Sequence, residues 1–288
     1  MPSARMPLDI ISSRLLIRAF LLVCAPSLLA QQAPDASLVR RALAVELRSA
    51  TDTQHPMRYR LRKSSSRLAT TKEIVETRDG AVARLVAIND QPLSPGDEQK
   101  EQSRLDSLVS DSSLQRHRKQ SEENDTNRVR SVLRAMPDAF NYNYAGSASG
   151  PTGAIAKFTF QPNPGFTPTN LETDVLPAMS GEIWINPMDE RVVRIEGHLQ
   201  RDVNIGWGLF GRLYKGGSVL IEQSDVGNHQ WRTVRLQLAM EGRVLFRDRS
   251  FDTVEEQSHF APVPLGLGYL EAIQILRGGA APATQPSR

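Results

Sequence analysis

Apolar residues change their spacing several times along the chain, and each change marks an element. From Asp35 to Ala50, Leu38, Ala42, Val45 and Leu47 recur at three to four residues behind a capping Asp35, which predicts a helix. Met57, Tyr59 and Leu61 then alternate with three arginines, the period of a strand with one wet face. Leu68–Thr77 and Ala81–Ile88 flank Asp79-Gly80, whose two positions tolerate positive φ, so a hairpin is expected there. Val82, Val86 and Ile88 share a face with Arg84 in this reading.

After Leu93 the pattern thins. Residues 94–136 are rich in Glu, Asp, Lys, Arg, Gln and Ser, with sparse apolar positions, Leu105, Leu108, Val109, Leu114, Val129, Val132, Leu133 and Met136. This predicts two or three helices packed by a narrow stripe, an exposed or mobile stretch over 116–127, and a helix end at Pro137. The charge run reads as a solvated face. Beyond Phe140 alternation returns and persists through about seven strands, with a short helix around 171–176, a turn at Glu241-Gly242 and a last helix over 268–276. The order is helix, three strands, helical block, then strands. It predicts an α+β protein: a large curved antiparallel sheet, an unclosed barrel, packed against helices, with a helical insertion after the third strand.

Composition adds an address. Arg5, Arg14 and Arg18 precede an apolar run from Ala19 to Leu29 that ends at Ala30. About a dozen apolar residues suit a secretory signal peptide and fall short of the ~20 a bilayer span needs. Residues 1–30 are therefore read as a cleaved signal peptide, 31–277 as one domain carrying the 94–136 insertion, and 278–288 as a disordered tail. Lipidation at Cys24 is the alternative, disfavoured because Val23 before it is not small. The expected location is the periplasm, with association to the outer membrane as a further expectation, and contact with a membrane peripheral at most.

Charge and motifs exclude several functions. The 35 Lys and Arg nearly balance 32 Asp and Glu, and three of the arginines lie in the signal peptide, so no basic surface calls for nucleic acid. One Cys excludes a disulfide scaffold. Gly206-Trp-Gly-Leu-Phe-Gly211 matches the dinucleotide-binding pattern in letters, but strand-like residues follow it where a helix is required. His55, His117, His198, His229 and His259 are scattered without ligand spacing. No enzyme, no cofactor and no metal is expected.

The abundance of inward apolar positions on the strands leaves two readings. Each buried Val, Leu, Ile or Phe is worth roughly 1.5–3 kcal/mol, so a face of a dozen will not stay wet. Either the sheet closes tightly on its own core, or a helical lid covers an apolar groove suited to an acyl chain. In the second reading Tyr59, Leu61, Val82, Phe158, Phe160, Ile183, Ile185, Ile195, Leu199, Val234 and Leu236 line the groove.

The stretch Gly181-Glu-Ile-Trp-Ile-Asn-Pro-Met-Asp-Glu-Arg-Val-Val-Arg-Ile-Glu196, set in this order of elements, resembles the LolA/LolB-like superfamily of periplasmic lipoprotein carriers, which includes RseB and mycobacterial lipid carriers. The resemblance covers most of 35–260 as an order of elements and these residues as a motif. It implies an unclosed barrel wrapped over helices, an apolar cavity for acyl chains and no catalytic residues. The expected partner is a lipid or an acylated protein. The alternative is an envelope-stress module of the RseB kind, whose charged 94–136 segment contacts another envelope protein. Arg84 and Arg194 both fit the family's functional arginine, and no motif anchors either.

Overall fold

Asp35 caps the first helix, α1 (Ala36–Ser49), accepting a 3.0 Å bond from the Ser37 amide. The face it buries is Leu38, Val39, Ala42, Leu43 and Glu46. This is the computed structural model of the chain, and it describes residues 34–151, 153–205, 211–244 and 247–278. The signal peptide expected over 1–30, most of the expected tail and residues 206–210 of the glycine motif lie outside the described residues.

Three strands follow: β1 (Met57–Ser65), β2 (Ala69–Val75) and β3 (Val82–Ile88), with a two-residue β4 (Gln91–Pro92). The β2–β3 hairpin exists, but its connection takes six residues, 76–81, and of Asp79 and Gly80 only Gly80 has positive φ, at 89°. The tight two-residue turn is instead β3–β4, where Asn89 and Asp90 both adopt left-handed backbone. The insertion forms two helices, α2 (Pro95–Ser110) and α3 (Ser112–Ala139), and Asp111 both ends the first and caps the second. Pro137 does not end α3 as expected. It sits inside the last turn, where the helix is about to stop, and the chain leaves helical geometry only at Phe140.

The rest is β5 (Phe140–Gly150), β6 (Gly153–Pro162), β7 (Met179–Asn186), β8 (Arg191–Leu199), β9 (Val203–Ile205), β10 (Gly211–Leu213), β11 (Ser218–Asp225), β12 (Trp231–Val244) and β13 (Arg247–Pro262), then α4 (Tyr269–Leu276). The helix expected around 171–176 is a turn followed by a 3-10 turn at Leu176–Ala178. Glu241-Gly242 does not turn the chain. Gly242 lies within β12, and a Cβ there would stand 2.4 Å from the Arg212 carbonyl oxygen, so glycine is needed for β10 to come alongside.

The described strands form one antiparallel sheet in the order β4-β3-β2-β1-β13-β12-β11-β8-β7-β6-β5, with β10 and β9 attached beside β12. It is not closed into a barrel. The β1–β13 pairing joins the N-terminal strands to the C-terminal ones.

Register carries two faces across it. Phe158, Ile183, Ile195, Ile221 and Leu236 stand opposite one another from β6 to β12, and the row continues through Glu255 to Lys63. The adjacent row is Lys157, Trp184, Arg194, Glu222, Arg235, Glu256 and Arg62. We call the first face inner and the second outer. Tyr59 and Leu61 alternate with the arginines and so belong to the inner face.

Each face carries a core. On the inner face, at the β5–β8 end, α1 and the C-terminal half of α3 bury Phe140, Phe158, Phe160, Ile183, Ile185 and Leu199. Glu46 of α1 is buried there against Arg191, with bonds of 3.0 and 3.1 Å, and it also accepts from the Val192 amide and Gln223. A buried carboxylate with this many donors anchors α1 to β8 and β11 without an unmet charge. On the outer face, Val75 pairs with Arg58 and Val82, and α2 and α4 cover it with Leu105, Leu108, Ala272, Ile273 and Leu276. The last helix thus lies on the side opposite to α1.

Candidate functional site

One face of α3 carries Gln115, Arg118, Lys119, Glu122, Thr126 and Val129, then Val132, Leu133 and Met136, at helical spacing. The second part packs into the inner core. The first part meets the end of the β2–β3 connection, just before β3. Glu122 accepts from the Ala81 amide at 2.9 Å, Arg118 donates to the Ala81 carbonyl at 3.4 Å and Gln115 donates to the Asp79 carbonyl at 2.9 Å. From α2, Arg104 donates to the Ala83 carbonyl at 2.5 Å and Glu101 accepts from the Leu85 amide at 2.9 Å. Residues 81, 83 and 85 are the alternate positions whose backbone groups point out of the sheet. The charged block is therefore not only a solvated face, and the stretch 116–127 is helical and docked along one side.

Between this fastening and the inner core, α3 bridges the inner face and leaves a cleft of about 980 Å³. Its floor is Tyr59, Ile74 and Ala83, neighbours across β1, β2 and β3, with Gln257 of β13. Arg118, Glu122, Asp125, Thr126 and Val129 form the roof. Ala50 and Asp52 beyond α1 and Leu265–Leu267 complete the lining. The floor is largely apolar and the roof largely polar.

Burial shapes the ionisation of this lining. Desolvation raises Glu122 above the usual glutamate range, against the Ala81 amide and Arg118, which favour its charge. Desolvation likewise raises Glu76, opposed by Arg232 at 3.7 Å and a bond from the Met57 amide. The Tyr59 hydroxyl is pushed up by burial and then by Glu76 and Glu122. Burial lowers Arg118, and Arg104 beside it adds to the effect. At the edge of β3, burial opposes the charge of Glu101, but Arg104 and the Leu85 amide outweigh it and hold the carboxyl low.

Of the eleven residues expected to line a groove, Tyr59 lines this cleft. Phe158, Phe160, Ile183, Ile185 and Leu199 are buried in the inner core with Ile195 packed against them. Leu61, Val234 and Leu236 are half-buried on the central strands. Val82 belongs to the outer-face core. The rest of the cleft lining was absent from that expectation, Ile74, Glu76, Ala83, Arg118, Glu122 and Leu265 among it. The signal available for the roof was the helical spacing of Gln115, Arg118 and Glu122.

A second cleft, about 680 Å³, opens on the outer face among Arg60, Arg62, Asp90 and Glu256. Its cations are already met: Arg62 by Asp90 at 2.7 Å and Glu256 at 3.4 Å, Arg60 by Glu73 at 3.2 Å. The glycine motif falls between β9 and β10, which pair antiparallel, so a strand rather than a helix follows it. Among the described residues no group of three His, Cys, Asp or Glu side chains is arranged to hold a metal.

No family model matches the chain. No curated protein matches it. Solved structures align with it, among them two. One is a domain named for outer membrane lipoprotein sorting, from Vibrio parahaemolyticus, at 8% identity over 84% of this chain and 100% of that one, with a TM-score of 0.34. The other is a DUF1329 family protein from Desulfovibrio piger ATCC 29098, at 11% identity over 82% of this chain and 96% of that one, with a TM-score of 0.28.

Proposed function

We propose that the protein is a non-catalytic carrier of the bacterial envelope that holds a lipid, or the acyl chains of a lipoprotein, in the cleft beneath α3. The observation that carries this reading is the cleft's two-sided chemistry. Tyr59, Ile74 and Ala83 offer an apolar floor to methylene groups, while Arg118, Glu122 and Thr126 offer hydrogen-bonding groups to a polar head. About 980 Å³ stands at the upper end of the roughly 300–1,000 Å³ typical of ligand pockets. At its mouth Val129 and Leu265 are 54% and 64% exposed, an apolar lip along which a chain can enter.

Secretion through the signal peptide at 1–30 would place the carrier in the periplasm. Among the described residues no helix is long and apolar enough to cross a membrane.

Native mass spectrometry with lipid extraction of the purified protein tests the proposal. The expected result is a bound mass, or a mass gain on adding phospholipid or lipopeptide, that is lost when Ala83→Phe fills the floor. A clean apo mass that no such addition changes overturns it.

A further inference from the structure

The charged side chains that line the cleft beneath α3 are Asp52, Glu76, Glu122 and Asp125, set against Arg78 and Arg118. Asp52, Asp125 and Arg78 are engaged by protein groups. Asp52 meets His55 at 2.7 Å, Asp125 meets Arg128 at 2.8 Å, and Arg78 donates to the Gly266 carbonyl at 2.9 Å. Glu76, Arg118 and Glu122 are only partly engaged. The Oε2 of Glu76 accepts from the Met57 amide at 2.9 Å and lies 3.7 Å from Arg232, and the Oε2 of Glu122 accepts from the Ala81 amide at 2.9 Å. Among the described residues no hydrogen bond reaches the Oε1 of either glutamate. Arg118 reaches the Ala81 carbonyl with one nitrogen at 3.4 Å, and its Nε is buried without a partner.

Arg118 and Glu122 stand one helical turn apart on α3, the spacing at which opposite charges ordinarily meet. Among the described residues no ion pair joins them, and both turn to Ala81 instead. Neighbouring charges sharpen the separation. Arg104 acts on Arg118, and Glu76 acts on Glu122. Glu101, which also faces Arg118, is taken by Arg104 at 2.6 Å. The cleft thus has a positive pole and a negative pole, each with bonding capacity left over, above the apolar floor of Tyr59, Ile74 and Ala83. Desolvation raises both glutamates, as expected of carboxylates without a full set of partners.

We propose that the cleft selects a zwitterionic phospholipid head, its phosphate on Arg118 and its ammonium on Glu122 and Glu76, as a phosphoethanolamine lipid presents them. The inference rests on the carrier reading above and names its cargo. With four carboxylates to two arginines in the lining, an anionic head brings a phosphate and nothing to meet the glutamates. An ammonium supplies charge-assisted bonds to both carboxylates. A head without it leaves them unpaired, and unpaired buried groups are what let a polar site discriminate.

The purified protein is incubated with vesicles holding equal phosphatidylethanolamine and phosphatidylglycerol, and captured lipid is read by native mass spectrometry. The expected result is a preference for phosphatidylethanolamine of about tenfold or more. Glu122→Gln keeps an acceptor for the Ala81 amide but not the charge, and the preference should fall to near parity. Phosphatidylethanolamine acetylated on its amine makes the same test on the unmodified chain, whether or not the variant folds. It should be captured no better than phosphatidylglycerol. Free phosphoethanolamine, which has no chains for the floor, should not displace the lipid at equal concentration.

Equal or greater capture of phosphatidylglycerol overturns this inference and leaves the carrier reading standing. So does a preference that survives Glu122→Gln or acetylation. Capture of neither phospholipid overturns the carrier reading itself. Displacement by free phosphoethanolamine assigns the site to a soluble zwitterion and overturns the lipid.

Discussion

The two halves of α3 show what a helix does when its buried stripe changes chemistry. From Val132 to Ala139 the stripe is apolar, and the helix closes on α1 and the strands β5–β8. From Gln115 to Glu122 it is polar and charged, and the helix fastens to the connection leading into β3 by hydrogen bonds to backbone. Dispersion and desolvation draw an apolar face into contact across its whole area. A hydrogen-bonded polar face needs only a few well-aimed bonds and cannot cover strands whose backbone is already paired. The cleft lies where the second regime passes into the first.

The difference can be broken most strongly in the inner core. Phe158 is fully buried, and Phe158→Ala should cost about 3–5 kcal/mol, read as a lower denaturant midpoint at unchanged slope. Glu46→Ala leaves the Arg191 guanidinium buried without its carboxylate, and about 3 kcal/mol should be lost. Repeating the measurement with Arg191→Met added should recover part of that loss, because the stranded charge is gone.

The outer-face core is smaller. Leu105→Ala there should cost about 2–3 kcal/mol. Hydrogen exchange should show the loss first in α2 and β3, with β6–β8 still protected. Uniform deprotection of the whole sheet would mean that the two cores do not open separately.

The smallest effect sharpens the comparison through pH. Burial raises Glu122, so the folded protein binds its proton more tightly than the unfolded chain does. Stability from this group is therefore greatest below its unfolded pKa and is lost as pH rises through the folded value. Glu122→Gln keeps an acceptor for the Ala81 amide and removes the buried charge. It should raise the urea midpoint slightly at pH 7, and the gain should vanish in acid. Glu101 has the opposite sign: its carboxyl is held low, so its contribution is present at neutral pH and lost as pH falls.

Much of the architecture was legible because alternation and helical spacing are local. The strands around Tyr59, Phe158, Ile183, Ile195 and Leu236 and the helices at 36–49 and 269–276 stand where the spacing places them. β13 was harder to see, since Arg-Asp-Arg-Ser at its start and Glu255-Glu256 in its middle break the apolar alternation. Such a polar strand is tolerated because β12 and β1 satisfy its backbone on both sides. Glu241-Gly242 looks like a turn in one dimension, and only the passage of β10 beside it explains the glycine.

The candidate site was less legible still. Tyr59 could be named from its strand, but Ala83 and Glu122 meet across some forty residues of sequence, and neither is unusual among its neighbours. By itself the sequence determined most of the helices and strands, because periodicity and caps act within a few residues. It also settled that helices and strands segregate along the chain into an α+β order. The tertiary structure alone decided that α1 and α4 cover opposite faces and that β13 bridges the two groups of strands. It decided as well that the charged insertion closes one edge, while among the described strands β5 pairs with β6 alone. Those outcomes depend on register and long-range packing, in which each residue's environment comes from partners far away in sequence.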